Sequence, residues 1–246
     1  AVALRGLVCL PDMILHFDVS RKKSIAALEA AMVKDQMVFL VAQKDPDEED
    51  PKQEGLYIAG AMAKVKQIVK MPENMVRVVA EGKFRAELDE VISVSPYLLT
   101  DVIIHDREEK VENENEAEAM RRVLEEILQK FIDAGAKFGP EITRQMEQAE
   151  DIVKLTNQLC ANMPMRWQDR QTLAEKVDFR ERYEELCRIM EKEYDVLLIN
   201  QDIQNKVKSR LEKNQRDYVL REQMKLIREE LGDDMQSEID EYETKL

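Results

Sequence analysis

The sequence predicts an α+β protein with an antiparallel β-rich part that contains one helix, followed by an α-helical part ending in one very long helix. Three observations indicate this order. Apolar residues recur with a period of two between residues 61 and 104, as in half-buried strands. From residue 115 they recur with the period of a helix. Between residues 178 and 232 there is neither glycine nor proline to interrupt a helix. The predicted segments are therefore 1–113, 115–176 and 178–246.

The first part opens with a short strand predicted near residues 3–10. A helix is predicted after Ser20, because three apolar side chains there share the i, i+3, i+7 spacing of one helix face. These are Ile25, Leu28 and Met32. The apolar run Met37–Gln43 predicts a returning strand, and the acidic stretch 44–54 predicts a solvated loop.

The period-two region predicts an antiparallel meander of three strands with one apolar face and one charged face. The apolar positions of the first strand are Ala61, Ala63, Val65 and Val69. Those of the second are Val76, Val78, Ala80, Phe84, Ala86 and Leu88. Those of the third are Ile92, Val94, Leu98, Val102 and Ile104. Charged side chains of the opposite parity, Arg85 among them, are expected to face solvent.

A small helical segment is predicted between residues 115 and 176. Its first helix carries an apolar stripe and is stopped by Gly135. The stripe consists of Met120, Val123, Leu124, Ile127, Leu128, Phe131 and Ile132. Pro140 suits the first turn of a second helix, and Pro164 ends a third. The third is lined by Ile152, Val153, Leu155 and Leu159.

The final helix is predicted to start at Asp178 and to continue for about 53 residues, up to Gly232. Its first part has enough apolar side chains to pack on the preceding helices. The stretch Asn200–Asp217 offers only Ile203, Val207 and Leu211, so it either stands in solvent or pairs with another chain as a coiled coil. A seam of 4-3-4 spacing then resumes at Leu220, Met224, Ile227 and Leu231. We therefore expect oligomerisation through this helix.

The amino-acid composition and net charge of the chain limit the classes of partner that it is expected to bind. The 246 residues are 44% hydrophobic and 36% charged, which is typical of a globular protein. A net charge of −14 argues against nucleic-acid binding, and the absence of an apolar run of about 18 residues argues against a membrane-spanning segment. The chain lacks an initiating Met and stops inside a polar helical pattern, so we expect a piece of a longer protein.

The three cysteines are odd in number and widely spaced, which favours buried thiols in a reducing cytoplasm over a disulfide framework. They are Cys9, Cys160 and Cys187.

No motif of a catalytic, cofactor or metal site is present in the sequence. The two histidines, His16 and His105, have no companion at metal-ligand spacing. Neither a GxxxxGK[ST] nor a GxGxxG phosphate-binding loop occurs, and no serine lies in a GxSxG elbow. The residues therefore predict a module for binding and assembly, without catalytic residues, cofactor or metal.

Two groups of apolar residues are candidates for contact with a partner, and for each group core packing is the open alternative. The first is the run after Pro11, which cannot all point inward. It comprises Met13, Ile14, Leu15 and Phe17. The second lies on the long helix where little else is available to pack against. It comprises Tyr218, Leu220 and Met224.

The sequence resembles the N-terminal part of the Lon ATP-dependent proteases. LRGLVCLPDMILHFDVSRKKSIAALEAAM (4–32) is similar to the start of that family, and further similarity lies in MVFLVAQKDPDEEDP (37–51) and KVKQIVKMPENMVRVVAEGKFRAEL (64–88). The most specific motif is QRDYVLREQMKLIREELG at Gln215–Gly232, which indicates a full Lon protease rather than a free-standing Lon-like domain. The resemblance covers essentially the whole chain.

The chain departs from the family's usual residues at a few positions. Asp12 replaces a glycine, His16 and Phe17 replace a Pro-Leu pair, and Asn74 ends a turn usually written PDG. These departures affect the expected detail of strands and turns rather than membership.

The resemblance implies a non-catalytic region of a bacterial, cytoplasmic serine protease. Such a region helps to select unfolded, damaged or short-lived regulatory proteins and stabilises a homohexamer. A following AAA+ module, which uses ATP and Mg²⁺, and a Ser-Lys protease domain are expected in the parent protein and are absent here. The family positions that carry over, for interprotomer and substrate contacts, are Tyr218, Leu220, Arg221, Met224 and Leu231. The alternative is a free-standing coiled-coil scaffold or holdase that binds unfolded clients.

Overall fold

A computed structural model of the chain describes residues 1–72, 74–107, 109–136, 149 and 151–243, with the helix backbone alone at residues 228 and 231–243. The chain forms two compact units, Ala1–Tyr194 and Asp195–Leu246. This boundary lies inside the long helix, whereas the sequence predicted divisions near residues 113 and 177. The β-rich and helical parts share one unit because side chains of the helical part bond directly to the sheet.

The described part of the first unit contains one six-stranded sheet. Its strands are β1 (Val2–Leu4), β2 (Ile14–Val19), β3 (Met37–Gln43), β4 (Leu56–Lys70), β5 (Val76–Ser93) and β6 (Leu99–His105). The order is β1-β3-β4-β5-β2, and β6 also pairs with β5. Only the β1–β3 pair is parallel among these strands. The predicted antiparallel meander is thus confirmed as β4, β5 and β6.

Five α-helices lie in the described residues. They are α1 (Lys22–Val33), α2 (Glu114–Asp133), α3 (Ile152–Asn162), α4 (Trp167–Glu175) and α5 (Phe179–Glu243). Side chains of Asn113 and Asp151 accept hydrogen bonds from first-turn amides of α2 and α3, as N-caps do. The helix predicted at Pro140 lies outside the described residues. Helix α5 continues past Gly232, because one glycine costs a helix only about 1 kcal/mol.

A β-bulge in β5 corrects the predicted apolar face of the second strand. Met62 pairs with Phe84 while the next residue, Ala63, pairs with Gly82, so Lys83 is an extra residue in β5. An extra residue reverses the side-chain alternation. Val76, Val78 and Ala80 consequently belong to the main apolar cluster with α1, whereas Ala86 and Leu88 belong to a second cluster with Phe39 and Leu56.

The same bulge explains two further departures from the predicted pattern. Arg85, expected in solvent, is buried, and Phe84, expected in the core, is exposed. On the third strand, Ile104 is also exposed, as are Ile92 and Val94 before it.

The helical part is joined to the sheet by a few specific contacts. The side-chain amide of Gln171 donates to the carbonyl oxygen of Ala59 at 3.2 Å. The rings of Tyr57 and Trp167 meet edge to face with 6.4 Å between centroids. Helix α4 therefore lies on β4.

Candidate functional site

An apolar groove of about 180 Å³ lies between the C-terminal half of α1 and the sheet. Its helix wall is unusually low because three of the lining side chains are alanines, at positions 27, 30 and 31. Met37 and Phe39 of β3, with Met62 of β4, also line the groove. Opposite the helix, the wall is formed by Tyr97, Leu99, Thr100 and Val102.

The floor of the groove depends on a close approach between Phe39 and Gly60. A Cβ atom at Gly60 would lie 2.5 Å from the carbonyl oxygen of Leu40 and 2.8 Å from the Phe39 ring. Only glycine fits such contacts without a shift of the backbone. Glycine at this position therefore allows the Phe39 ring to lie over β4, where it is buried beneath the groove.

Exposed apolar side chains continue the groove onto the neighbouring surface. Phe84 is 41% exposed and pairs with the groove residue Met62 across β4 and β5. Leu99 of β6 is itself a lining residue and is exposed, and Ile104 on the same strand pairs with Ala86 of β5. Lys34 and Asp35 are the charged side chains that line the groove. The surface thus offers burial to apolar groups, with charge at one end.

The three cysteine thiols lie in the first unit, and those of Cys9 and Cys160 are buried. Among the described residues, no group of three His, Cys, Asp or Glu side chains is arranged to hold a metal ion. Burial raises the pKa of the Cys9 thiol to about 12 and that of Cys160 to about 11, although arginine charges act against the second shift. At neutral pH these two thiols are protonated, and so they are poor nucleophiles.

The run after Pro11 is only partly exposed, which corrects the prediction for two of its residues. Leu15 and Phe17 are 5% and 6% exposed and belong to the main apolar cluster. They alternate with Ile14 and His16 because residues 14–19 form strand β2, paired with β5. Pro11 and Met13 are half-buried, and Ile14 is the exposed apolar side chain of the run. A binding role for Ile14 stays a prediction.

The long-helix candidates lie in the second unit and are exposed. This holds for Tyr218, Leu220, Arg221, Met224 and Ile227. Leu231 belongs to the helix, but its side chain lies outside the described residues. The role of these residues in contacts with a partner stays a prediction.

The sequence missed the groove, because its walls come from residues 27–39, 62 and 97–102. The sequence predicts a helix here whose apolar face consists of Ile25, Leu28 and Met32, and it assigns no role to the alanines. Alanines at 27, 30 and 31 were the one available signal, since small side chains on α1 leave room above the sheet.

Comparison with known proteins decides the family. Residues 1–192 match the family model described as the ATP-dependent protease La (LON) substrate-binding domain. This chain belongs to the Lon substrate-binding domain family. The chain is 42% identical to the Lon protease of Lachnoclostridium phytofermentans over 94% of its length and 39% identical to that of Brevibacillus choshinensis over 99%. It spans 29% and 31% of these two relatives.

Solved Lon structures share the fold. The N-terminal domain of a Mycobacterium avium complex Lon protease superposes with a TM-score of 0.58 at 16% identity, covering 77% of this chain and 96% of that one. The Lon N-terminal domain protein from Xanthomonas campestris gives 0.52 at 14% identity, covering 75% and 94%. The α+β fold that ends in a long helix is therefore that of Lon N-terminal domains, as the sequence resemblance implied.

Within the Lon family this chain corresponds to the N-terminal substrate-binding domain. The groove lies entirely inside the residues that match the family model. Among the described residues, no helix combines the length and the hydrophobicity required to cross a membrane.

Proposed function

We propose that this domain selects substrates for an ATP-dependent Lon protease by holding apolar segments of unfolded proteins in the groove beside α1. The observation that carries the proposal is the groove itself, with Phe84, Leu99 and Ile104 exposed around it. Full burial of one aliphatic or aromatic side chain is worth about 1.5–3 kcal/mol. Folded proteins keep most such side chains inside, so the groove favours unfolded clients.

The groove suits an extended segment better than a compact ligand. It is shallow, its lining alternates small alanines with larger side chains, and its exposed rim continues along β5 and β6. An unfolded chain can place one side chain in the groove and its neighbours on the rim. Several weak contacts of this kind tolerate many sequences, as a quality-control protease requires.

We further propose that the helix of the second unit contacts another copy of the chain. Leu220, Met224 and Ile227 are exposed and share one face at i, i+4, i+7 spacing. Such a seam is typical of a helix that packs against a partner helix. A helix contact of this kind would join copies of the chain into a homo-oligomer, which we propose to be a hexamer in the full-length protein.

The parent protein is proposed to be a bacterial cytoplasmic serine protease that degrades misfolded, damaged and short-lived regulatory proteins. ATP and Mg²⁺ are proposed for its AAA+ module, and a Ser-Lys dyad for its protease domain. The names of the bacterial relatives support this proposal. The free-standing scaffold or holdase predicted as the alternative is less well supported, since the similarity to the Brevibacillus choshinensis Lon protease covers 99% of the chain and so includes the long helix.

A substitution on the rim tests the groove. Phe84→Gln should lower affinity for a carboxymethylated, permanently unfolded protein by about fivefold, the loss expected when roughly one apolar contact disappears. The matched control is Val69→Gln, because Val69 lies on β4 and is 40% exposed, as Phe84 is 41% exposed. Fluorescence anisotropy with a labelled client measures both variants. Equal affinities for the two variants would contradict the groove as the client site.

A further inference from the structure

Strand β6 is a free edge of the six-stranded sheet. It pairs with β5 and with no other strand in the part of the chain that the structure describes. The two bulges in this pair insert Asp89 and Ile92 on the β5 side, so β6 itself stays regular from Leu99 to His105. The main-chain groups of β6 that do not face β5 form no hydrogen bond with the described residues. A row of unpaired N–H and C=O groups therefore runs along this edge.

The other edge strands among the described residues, β1 and β2, offer less to a partner. Strand β1 is three residues long, and β2 shows one exposed large apolar side chain, that of Ile14. Strand β6 exposes Leu99, Ile103 and Ile104. It contains neither lysine nor proline, the residues with which proteins commonly block an edge strand. Of the three edges, β6 is therefore the one best suited to an added strand.

The edge of β6 also borders the apolar groove. Leu99, Thr100 and Val102 are lining residues of that groove. Because consecutive side chains of a strand point to opposite faces, Leu99 and Thr100 can both line one groove only where it meets the border of the strand. An extended segment beside β6 would therefore place every second side chain in the groove.

The chemistry of the edge favours an extended polypeptide as its occupant. Unpaired donors and acceptors that follow one another along a strand are matched by the backbone of another strand, whatever its sequence. The main-chain groups of a folded protein are already paired, whereas those of an unfolded segment are available. Recognition of this kind tolerates many sequences but requires an unfolded backbone.

Charge argues against a second copy of the chain as the occupant. Residues 87–107, which include most of the β5–β6 pair, contain five acidic residues, no lysine and one arginine. The acidic residues are Glu87, Asp89, Glu90, Asp101 and Asp106. Two such edges side by side would bring like charges together, which is destabilising. The complementary occupant is an apolar segment that is uncharged or basic, and since contacts between exposed charges are weak, apolar burial and backbone bonds still dominate its binding.

We propose that an apolar segment of an unfolded client binds as an added strand along the free edge of β6, with every second side chain in the groove. This mode of binding rests on the proposed function, client binding at the groove, and adds the conformation and backbone contacts of the client. It also defines the preferred segment, which is rich in β-branched and aromatic residues and free of proline and acidic side chains. Apolar burial in the groove alone requires no particular backbone conformation.

N-methylated peptides separate backbone pairing from apolar burial. The probe is a fluorescein-labelled peptide in which valine and threonine alternate between two terminal lysines, and two derivatives carry N-methyl groups on a pair of valine amides or a pair of threonine amides. Alternate amides of a strand point to opposite edges, so only one derivative loses its bonds to β6. In fluorescence anisotropy with the wild-type chain, that derivative should bind at least about tenfold more weakly, and the other within about twofold of the parent peptide.

A lysine on the edge tests the same contact from the side of the protein. Ile103→Lys should weaken binding of the parent peptide by about fivefold, because an edge lysine obstructs an added strand. The matched control is Ile58→Lys. Ile58 is 63% exposed and Ile103 51%, but Ile58 lies on β4, which pairs with β3 and β5 on its two sides, so the control should retain the wild-type affinity. The bound peptide should also slow hydrogen exchange at alternate amides of residues 99–105.

The outcomes distinguish strand addition from the proposed function itself. Equal affinities of the three peptides, or equal losses in the two derivatives, would overturn strand addition and leave apolar binding in the groove intact. A parent peptide that fails to bind while the carboxymethylated client binds would overturn it as well, whereas failure of both would overturn the proposed function. If Ile103→Lys dissociates oligomers in sedimentation velocity and leaves peptide affinity unchanged, the edge is occupied by a second copy. Should that variant fail to fold, the peptide comparison on the wild-type chain decides.

Discussion

The guanidinium of Arg85 donates a hydrogen bond of 3.0 Å from Nη1 to the main-chain oxygen of Leu173, across 88 residues of sequence. It joins the middle of β5 to helix α4 inside the first unit. Burial, and then the nearby charge of Arg182, lower the pKa of Arg85 to about 10, so the side chain is still charged at neutral pH. A buried cation thus bridges the sheet and the helical part.

Arg85→Ala should destabilise the first unit by about 2–4 kcal/mol, because it leaves a cavity and an unpaired carbonyl. Arg85→Met fills most of the volume and should cost less. Urea unfolding followed by circular dichroism measures both variants. A loss below about 1 kcal/mol for the alanine variant would show that this bridge contributes little.

The three thiols should differ in reactivity. Cys9 and Cys160 are buried with raised pKa values, whereas Cys187 on α5 is half-buried, its pKa also raised by burial. Iodoacetamide at pH 8 should therefore label Cys187 slowly and the other two only after unfolding. Mass spectrometry of peptides with and without urea checks this order. Rapid labelling of Cys160 in the native chain would contradict its burial.

Asp169 should make the first unit sensitive to acid. Burial alone would raise the pKa of this carboxyl, but hydrogen bonds from Arg166 and Lys192 outweigh it, and the pKa is lowered. A folded-state pKa below the unfolded value of 3.8 gives stability that is present above pH 4 and lost as the pH falls through the folded value. Asp169→Asn should therefore flatten the pH dependence of the melting temperature below pH 4. An unchanged slope would assign acid sensitivity to other carboxylates.

Self-association should depend on Met224. Met224→Asp costs a helix little in propensity but places a carboxylate on the proposed seam, a penalty of several kcal/mol, on the order of the cost of burying a charge without a partner. Helix content and melting of the first unit should stay unchanged, while oligomers dissociate in sedimentation velocity. Gln223→Asp is the control, since Gln223 is exposed beside Met224 but off the seam. If Met224→Asp unfolds the first unit instead, Met224 packs within its own chain.

Client binding should vary little with salt. The groove is lined mainly by uncharged side chains, and apolar burial is weakly screened, whereas contacts between exposed charges weaken as ionic strength rises. Titration of an unfolded client at low and high sodium chloride measures the difference. Collapse of the affinity at high salt would show that charge, not apolar burial, holds the client.

The sequence predicted elements whose pattern is local. Strand β3 has the predicted bounds Met37–Gln43, because every residue of that run but the last is apolar and the flanking residues are polar. Strand β2 was missed although Leu15, Phe17 and Val19 alternate with polar His16 and Asp18, since the neighbouring Met13 and Ile14 made the run look continuous. The bulge at Lys83 is marked in the sequence only by Gly82, a glycine inside a strand pattern. The groove joins residues that are far apart along the chain.

The bulge in β5 also constrains the number of residues between Ala80 and Ala86. Because one strand forms a wall of two apolar clusters, the number of residues between Ala80 and Ala86 sets which side chains enter each cluster. Regular alternation over the same residues, without the bulge, would turn Arg85 toward the apolar cluster that now holds Ala86, while an insertion would displace Phe84 from beside Met62. Loop lengths elsewhere can drift between relatives at small energetic cost. This short interval should instead keep its present length with the bulge, or be one residue shorter without it, wherever the groove is retained.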